Sequence, residues 1–270
     1  MRVRTAVIPC AGKGTRFQPI TRTVPKELLP MVAKPALQLV VEECAGAGIE
    51  HVVLVSSRAK PAIAGFAADV VDHVPGLRIT VTYQDEPLGL GHAVGCARRA
   101  VAGEPFAVLL PDELMGDSSL LAQMIAVCER TGGSVVGLKR VPRDEVGAYG
   151  VIDPAGELDT DGVVAVRTMV EKPAVAEAPS DLIIIGRYVL THEVLDLIDR
   201  LQPGAKGEIQ LTDALRTQAE AGPFHGVLSR IQRHDTGNPL GWLTAVVDLA
   251  LDDPAVSAPF DAWLRQRLAQ

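Results

Sequence analysis

Apolar runs and segments of helical spacing alternate through the first half of the chain. The pattern predicts strands over 3–9, 51–56, 79–83, 106–110 and 134–139, and helices over 36–47, 63–71, 92–100 and 120–130. The run 106–110 is apolar throughout, which is typical of a strand covered on both faces. Strands that alternate with helices in this way predict a doubly wound α/β sheet with helices on both faces.

The pattern changes after about residue 140. Short strands broken by turn residues such as Asp153-Pro154-Ala155-Gly156 are predicted within 151–168. Later segments predict strands over 182–190 and 224–233 and helices over 194–201, 211–221, 240–251 and 260–268. No linker, repeat or low-complexity tract divides the chain, so we expect residues 1–270 to form a single domain.

The net charge limits which molecules the protein can bind, and the cysteines indicate the cellular compartment. The net charge is −7 and the isoelectric point about 5.4, which disfavours nucleic acid and anionic membranes as partners. No apolar run is long enough to span a bilayer, and no signal peptide is recognisable at the start. The four cysteines form no CxxC pair, and we expect buried free thiols and a cytoplasmic location. They are Cys10, Cys44, Cys96 and Cys128.

A glycine-rich turn follows the first predicted strand and reads Ala11-Gly12-Lys13-Gly14-Thr15-Arg16. Glycines let the backbone approach a phosphate closely, and successive N–H groups there can bind an anion. A dinucleotide-binding fingerprint needs a third glycine where Phe17 stands, and no P-loop pattern occurs. Alone, the turn is equally compatible with an ordinary strand-to-helix connection.

The residues after the turn make a resemblance specific. The segment PCAGKGTRFQPITRTVPKELLPMVAKPALQ resembles the signature of sugar-phosphate nucleotidyltransferases, and its PKELLP form is most similar to bacterial UTP–glucose-1-phosphate uridylyltransferases. Further matching motifs follow in the family's order. They are LGLGHAV, LLPDEL, AYGVI, VEKP, GRYVL, GEIQLTDAL and HDTGNPLGW.

The resemblance implies a reaction between a nucleoside triphosphate and a sugar 1-phosphate, most similar to the formation of UDP-glucose from UTP and glucose 1-phosphate. It implies that Arg16 holds the leaving pyrophosphate and that Lys26 neutralises the α-phosphate. Without the motif, both residues would be interpreted as solvated surface charges. The implied nucleotide-binding set comprises Ala11, Gly12, Gly14, Thr15, Gln84 and Gly89.

The resemblance also assigns a metal pair and a sugar-phosphate set. Asp112 follows the strand predicted over 106–110, at the carboxyl edge where α/β sheets bind ligands. By resemblance, Asp112 and Asp235 hold Mg²⁺, whose preferred ligands are such oxygens. Gly150, Glu171 and Lys172 would bind the sugar phosphate, with Lys172 also counted among the catalytic residues. Without the resemblance, Asp112 would be interpreted as an ordinary turn aspartate. Glu171 and Lys172 would then be an ordinary charge pair on an edge strand.

The resemblance further implies a Rossmann-like, mixed but mainly parallel sheet with helices on both faces and a smaller sugar-binding subdomain. Within the single domain, it predicts a nucleotide-binding half over about 1–140, a sugar-phosphate-binding half over about 141–235 and C-terminal helices over about 239–270. It implies a homo-oligomer, either a dimer or a tetramer.

Two departures from the uridylyltransferase pattern leave the substrates open. The connection 72–83 is short, and Leu88 stands where those enzymes usually have lysine. The same chemistry with dTTP, another nucleotide or another sugar-like phosphate is therefore an alternative. A non-catalytic NDP-sugar sensor is disfavoured because the implied catalytic residues are present. A dinucleotide-dependent oxidoreductase is disfavoured by Phe17 and by the lack of an acidic residue ending the second strand.

Overall fold

A computed structural model describes residues 2–204 and 207–270. Its helices are α1 (Ala36–Gly46), α2 (Pro61–Asp69), α3 (Leu90–Gly95), α4 (Arg98–Val101), α5 (Ser119–Thr131), α6 (Glu193–Arg200), α7 (Leu211–Ala221), α8 (Pro239–Asp252) and α9 (Ser257–Leu268). No helix among these residues is long and apolar enough to cross a membrane.

One nine-stranded sheet forms the centre of the molecule. Its strands are β1 (Thr5–Pro9), β4 (His51–Ser56), β5 (Arg78–Tyr83), β6 (Phe106–Leu109), β8 (Ser134–Arg140), β9 (Gly150–Pro154), β10 (Val163–Glu171), β11 (Leu182–Leu190) and β12 (Phe224–Leu228). Two small sheets pair β2 (Pro30–Met31) with β3 (Lys34–Pro35), and β7 (Glu113–Met115) with β13 (Arg233–Asp235).

The order across the large sheet is β5-β4-β1-β6-β11-β8-β12-β10-β9. Strands β5, β4, β1 and β6 are mutually parallel, as are β8 and β12, whereas β11 and β10 run against their neighbours. All strands except β10 and β11 therefore point the same way. This confirms the predicted mixed, mainly parallel α/β sheet.

Apolar side chains alternate between the two faces of the sheet, and each face carries its own core. In β1, Ala6 and Ile8 pack on one side and Val7 on the other. The first core is closed by α1, α2, α5 and α8, and the second by α3, α4, α6 and α7. The doubly wound arrangement predicted from the periodicity is thus confirmed.

Several element boundaries differ from the prediction. The predicted strand 224–233 is two strands, because β12 ends at Leu228 and the Ser229 N–H then bonds to the carbonyl of Leu138. The second piece, β13, leaves the large sheet. The predicted helix 92–100 is broken into α3 and α4. Cys96 is half-buried, whereas the other three thiols are buried as expected, and all four are free.

The ribbon of β7 and β13 has a fixed antiparallel register that joins two distant segments. Asp235 lies opposite Glu113, and His234 opposite Leu114. Just beyond the ribbon, the N–H and hydroxyl of Thr236 both donate to the carbonyl oxygen of Asp112, at 2.7 and 2.9 Å. Asp112 and Asp235 are therefore placed side by side through backbone pairing.

A buried ion pair lies beneath this ribbon. The side chain of Arg187 on β11 is fully buried and donates to both carboxylate oxygens of Glu43 on α1, at 2.9 and 2.7 Å. Its remaining donors reach the carbonyls of Leu110 at 3.2 Å, Gly186 at 3.1 Å and Glu113 at 2.5 Å. A buried charge is tolerated only when its partners are satisfied in this way. The guanidinium thus holds both ends of the turn that carries Asp112.

We expect Glu43→Ala to lower the free energy of unfolding by ~3–5 kcal/mol, because the Arg187 guanidinium then stays buried without its counter-charge. The matched control is Glu42→Ala, one residue earlier on the same helix. Its carboxylate pairs with Lys34 near solvent, and such pairs contribute only ~0–1 kcal/mol. Urea unfolding followed by circular dichroism measures both variants, and equal losses would contradict the role of the buried pair.

Candidate active site

The glycine-rich turn forms one wall of a cavity of about 550 Å³ at the carboxyl end of β1. Gly14 has φ of +63°, and a side chain there would also press on Thr21, whose hydroxyl donates to the Gly14 carbonyl at 2.8 Å. A single 3₁₀ turn, Thr15–Phe17, follows. Because the glycines leave the backbone of this turn uncovered on the cavity wall, its N–H groups can come close to a bound phosphate.

A short ion pair lies beside the glycine-rich turn, where a Cβ atom at Gly14 would be 3.4 Å from Lys26 Cβ. Lys26 Nζ is 2.6 Å from Asp112 Oδ2, and both side chains are largely buried. Burial alone would lower the pKa of Lys26, but the charge and hydrogen bond of Asp112 raise it. Burial likewise opposes ionisation of Asp112, but Lys26 holds the pKa of this carboxyl below its usual value. Both groups are therefore charged at neutral pH.

Asp112, Asp235 and Arg16 converge around Gly237. A Cβ atom at Gly237 would lie 3.0 Å from Asp235 Oδ1, 3.2 Å from Asp112 Oδ2 and 3.7 Å from Arg16 Nη1. The Arg16 guanidinium donates to the Gly237 carbonyl at 3.3 Å. Glycine at 237 thus leaves a polar space that two carboxylates and one cation face.

A second, smaller cavity of about 160 Å³ adjoins the first, and Leu90, Leu110 and Gln210 line both. Glu171 and Gly150 are opposite each other in the β9–β10 register, and a side chain at 150 would meet Glu171 Oε2 at 3.3 Å. The hydroxyl of Thr212 donates to that same oxygen at 2.8 Å. This cavity therefore combines an oriented carboxylate with an open backbone.

Lys172 also lines the smaller cavity, and it supplies the bend that lets two successive residues face it. Its φ is +47°, so the chain turns at Lys172 itself, one residue before Pro173. The Lys172 N–H donates to the Tyr149 carbonyl at 2.9 Å, and its ammonium group lies 3.2 Å from Glu171 Oε1. A left-handed lysine is uncommon and marks a position held by its surroundings.

At the far end of the large cavity, Gln84 and Gly89 lie together. The Gln84 amide donates to the Gly89 carbonyl at 3.1 Å. Gly89 has φ of +99°, and a side chain there would lie 2.7 Å from the Ile209 carbonyl. Ile209 clamps this loop by donating to Leu88 O at 2.7 Å and accepting from Gly91 N at 2.9 Å. Leu88 contributes its backbone to this clamp, and its side chain does not line the cavity.

Two ion pairs near the cavities were not predicted from the sequence. Glu27 is buried, lines the large cavity, and accepts from Lys60 Nζ at 3.1 and 3.0 Å. Lys60 also donates to the Cys10 carbonyl at 2.8 Å, at the end of β1. Burial raises the pKa of the Glu27 carboxyl, an effect that Lys60 opposes. Glu27 lies within PKELLP and was a visible candidate, whereas no pattern marks Lys60.

The second unpredicted pair joins the ribbon strands. Arg233 donates to Glu113 at 2.6 and 2.7 Å, and Glu113 lines the smaller cavity. Burial raises the pKa of Glu113 to about 7, against the lowering effect of Arg233. The pair reinforces the β7–β13 register that aligns the two aspartates.

Comparison with known proteins gives this arrangement a family. Residues 5–250 match the family model described as nucleotidyl transferase. The chain belongs to this family. It is 39% identical to the UTP–glucose-1-phosphate uridylyltransferase of Staphylococcus epidermidis over 98% of each chain.

Solved structures agree with this membership of the nucleotidyl transferase family. A UDP-glucose pyrophosphorylase complexed with UDP-glucose is 35% identical, with a TM-score of 0.87 and coverage of 93% of this chain and 100% of that one. A UTP-bound enzyme of the same kind from Acinetobacter baumannii is 33% identical, with a TM-score of 0.89 and coverage of 97% and 98%. The resemblance stated from the motifs is therefore confirmed for the fold and the family.

The predicted site residues of this nucleotidyl transferase fall into three groups in the structure. Those that line the large cavity are Ala11, Gly12, Thr15, Lys26, Gln84, Gly89 and Asp112. Those that line the smaller cavity are Gly150, Glu171 and Lys172. Gly14, Arg16 and Asp235 line neither cavity. Gly14 shapes the turn behind the first wall, while Arg16 and Asp235 stand beside Asp112 at Gly237.

We expect Lys60→Met to destabilise the chain by ~3 kcal/mol, because it removes the cation bonded to a buried carboxylate. It should also slow nucleotidyl transfer, since Glu27 adjoins Lys26 in the 3₁₀ turn Lys26–Leu28. The double variant Lys60→Met/Glu27→Gln should recover at least half of the lost stability by removing the uncompensated charge.

Lys34→Met is the matched control, because Lys34 is about half exposed and pairs with the partly exposed carboxylate of Glu42. Thermal unfolding and initial-rate assays measure all the variants. A double variant less stable than Lys60→Met would contradict the account of Glu27.

Proposed function

We propose that this chain transfers a uridylyl group from UTP to glucose 1-phosphate, forming UDP-glucose and pyrophosphate. The observation that carries the proposal is the pair of adjoining cavities with Lys26 and Asp112 on the wall of the larger one. One cavity offers a glycine-rich turn for a triphosphate, and the other offers Glu171 and Lys172 for a sugar phosphate. The relatives named above carry this activity in their names.

In the proposed reaction, an oxygen of glucose 1-phosphate forms a bond to the α-phosphorus of UTP. The bond from that phosphorus to the bridging β-phosphate oxygen breaks, and pyrophosphate leaves with the electron pair. The nucleophile is already an anion because the second pKa of a phosphate monoester is about 6. No general base is required, so positioning and charge neutralisation must supply the catalysis.

The side chains then have separate duties. We assign Lys26 to the charge on the α-phosphate, Arg16 to the departing pyrophosphate and Lys172 to the phosphate of the sugar. Glu171, held by Thr212, is assigned to the sugar hydroxyls, and Gly150 lets the ring lie against the backbone. The turn around the triphosphate is assigned to Ala11, Gly12, Gly14 and Thr15. The contacts to the nucleobase are assigned to Gln84 and Gly89.

We further propose Mg²⁺ as the cofactor, held by Asp112 and Asp235. The donors fit, because two carboxylates from distant segments face one space at Gly237. Within residues 2–204 and 207–270, no three or more His, Cys, Asp or Glu side chains are grouped as a metal site. The remaining ligands would therefore be phosphate oxygens and waters, as this ion favours. When bound, it would withdraw charge from the phosphates.

The proposed functions are assigned to successive segments of the sequence. We propose that residues of about 1–140 bind the nucleotide, that about 141–235 bind the sugar phosphate, and that about 239–270 serve assembly into a dimer or tetramer. The last assignment is supported by exposed apolar side chains on α8 and α9, where Leu243 is 52% and Trp263 is 55% exposed. Free thiols at all four cysteines support a reducing, cytoplasmic location.

A panel of UTP, dTTP, ATP and GTP, assayed with glucose 1-phosphate for pyrophosphate release, tests the reaction. We expect UTP to give the highest kcat/KM and dTTP to be a measurable second substrate, since one methyl group alters binding by only ~1–3 kcal/mol. ATP and GTP should trail UTP by about tenfold or more, because a purine leaves the base contacts unpaired. The proposal would be overturned by a preference for ATP or GTP, or by the absence of pyrophosphate release with all four nucleotides.

We expect excess chelator to abolish turnover and Mg²⁺ to restore it. Asp112→Asn and Asp235→Asn should each raise the Mg²⁺ concentration needed for half-maximal rate, and Asp112→Asn should lower kcat by tenfold for each ~1.4 kcal/mol of lost stabilisation. Asp252→Asn, at an exposed carboxylate on α8, is the control and should match the parent. Full activity of both site variants at low Mg²⁺ would refute the metal assignment.

A further inference from the structure

We infer that His92 is a positioning residue that fixes the Gln84 amide so that only its oxygen reads the base. The inference rests on the proposed function, because it concerns the base end of the nucleotide cavity. Its consequence is discrimination between uracil and cytosine, two bases of nearly equal size.

The Gln84 side chain is almost fully buried at the end of β5, where its own N–H bonds to the Ser56 carbonyl at 2.8 Å. Its amide nitrogen lies 3.1 Å from the Gly89 carbonyl and 2.9 Å from His92 Nδ1. A carbonyl oxygen can only accept, so the group near Gly89 must be the NH₂. The orientation of the amide is therefore determined by chemistry.

His92 Nδ1 must then be an acceptor as well, which places the ring hydrogen on Nε2. Consistent with this tautomer, His92 Nε2 lies 4.0 Å from the sulfur of Cys96, a weak acceptor just past the end of α3. Both amide hydrogens of Gln84 are consequently used within the protein. The geometry therefore leaves only an acceptor of this side chain for the base.

The remaining atom of the amide is Gln84 Oε1. It accepts no hydrogen bond from the described residues, yet it is not fully buried. Since Gln84 lines the large cavity, this oxygen is open to it. The surrounding loop is held by the Ile209 clamp and by Ala93 N–H, which donates to the Gly89 carbonyl at 3.1 Å. The oxygen is thus presented in a fixed direction.

A fixed acceptor selects a base by the hydrogen at its edge. Uracil and thymine carry a hydrogen on N3, whereas cytosine has a bare nitrogen there, and two acceptors repel. A cytosine ring would have to slide along its edge to bring its amino group to Oε1. The proposed triphosphate contacts of the glycine turn and Lys26 oppose such a slide. We therefore expect a strong preference for UTP over CTP.

Removing the His92 acceptor tests this assignment. His92→Leu should reduce the UTP-over-CTP ratio of kcat/KM about tenfold, because one anchor of the amide is lost. The change should fall on the KM for UTP with kcat nearly unchanged, since the base lies away from the reacting phosphorus. His92→Asn places a carbonyl acceptor near the Nδ1 position and should retain the ratio. His73→Leu, at an exposed histidine, is the matched control and should match the parent.

Dissociation constants of UTP and CTP, measured by calorimetry without sugar phosphate, separate this inference from the proposed function. If UDP-glucose does not form but UTP binds better than CTP and His92→Leu removes the difference, the inference stands and the proposed function fails. If UDP-glucose forms but the parent binds UTP and CTP equally, the inference fails alone. It is also overturned if folded His92→Leu keeps the parental ratio, or if His92→Asn loses it as fully as His92→Leu does.

Discussion

The fully buried guanidinium of Arg187 is the contact on which the rest of the site depends. It neutralises Glu43 on α1 and at the same time donates to backbone carbonyls of Leu110, Gly186 and Glu113. Removing two charges from water costs several kcal/mol per ion, and only complete pairing offsets such a cost. Two of these carbonyls, those of Leu110 and Glu113, lie on either side of Asp112, so the buried pair fixes the turn that carries it. A neutral core pair of the same volume would not fix that turn.

The same pairing of a cation with a carboxylate recurs around the cavities. Lys60 compensates Glu27 and Lys26 compensates Asp112 at the large cavity, and Arg233 compensates Glu113 at the smaller one. Lys26 on the cavity wall therefore already has a carboxylate partner before any substrate arrives. A phosphate must compete with that partner or share its cation, which ties the binding of anions to the arrangement of both aspartates. The net charge of −7 shows why such local cations are needed to attract a phosphorylated ligand.

How much the sequence revealed depended on the range of the interactions. Strands 51–56 and 182–190 were predicted with the observed bounds because continuous apolar runs describe burial on both faces. The strand predicted over 224–233 failed because its alternation passes through a turn that a distant backbone carbonyl holds. Arg187 and Glu43 are 144 residues apart, and nothing local marks them as partners. The bend at Lys172 was missed because a positive φ in lysine depends on tertiary contacts. The motifs are distant in the chain, yet most of the residues they marked line the two cavities, whereas Gly14, Arg16 and Asp235 do not. Family resemblance carries tertiary information that periodicity does not.

The continuous sheet has a mechanical consequence. Strand β11 is hydrogen-bonded to β6 on one side and to β8 on the other, so it joins the half that carries the glycine turn to the half that carries Glu171 and Lys172. Within residues 2–204 and 207–270, paired strands connect the two cavities without a break, so their spacing can change only if paired strands slip past each other. The spacing of the two cavities is thus set by strand pairing when the chain folds, and under the proposed function this pairing would hold the two reactants in position. Adaptation to differently shaped substrates must therefore come from the loops at the rim.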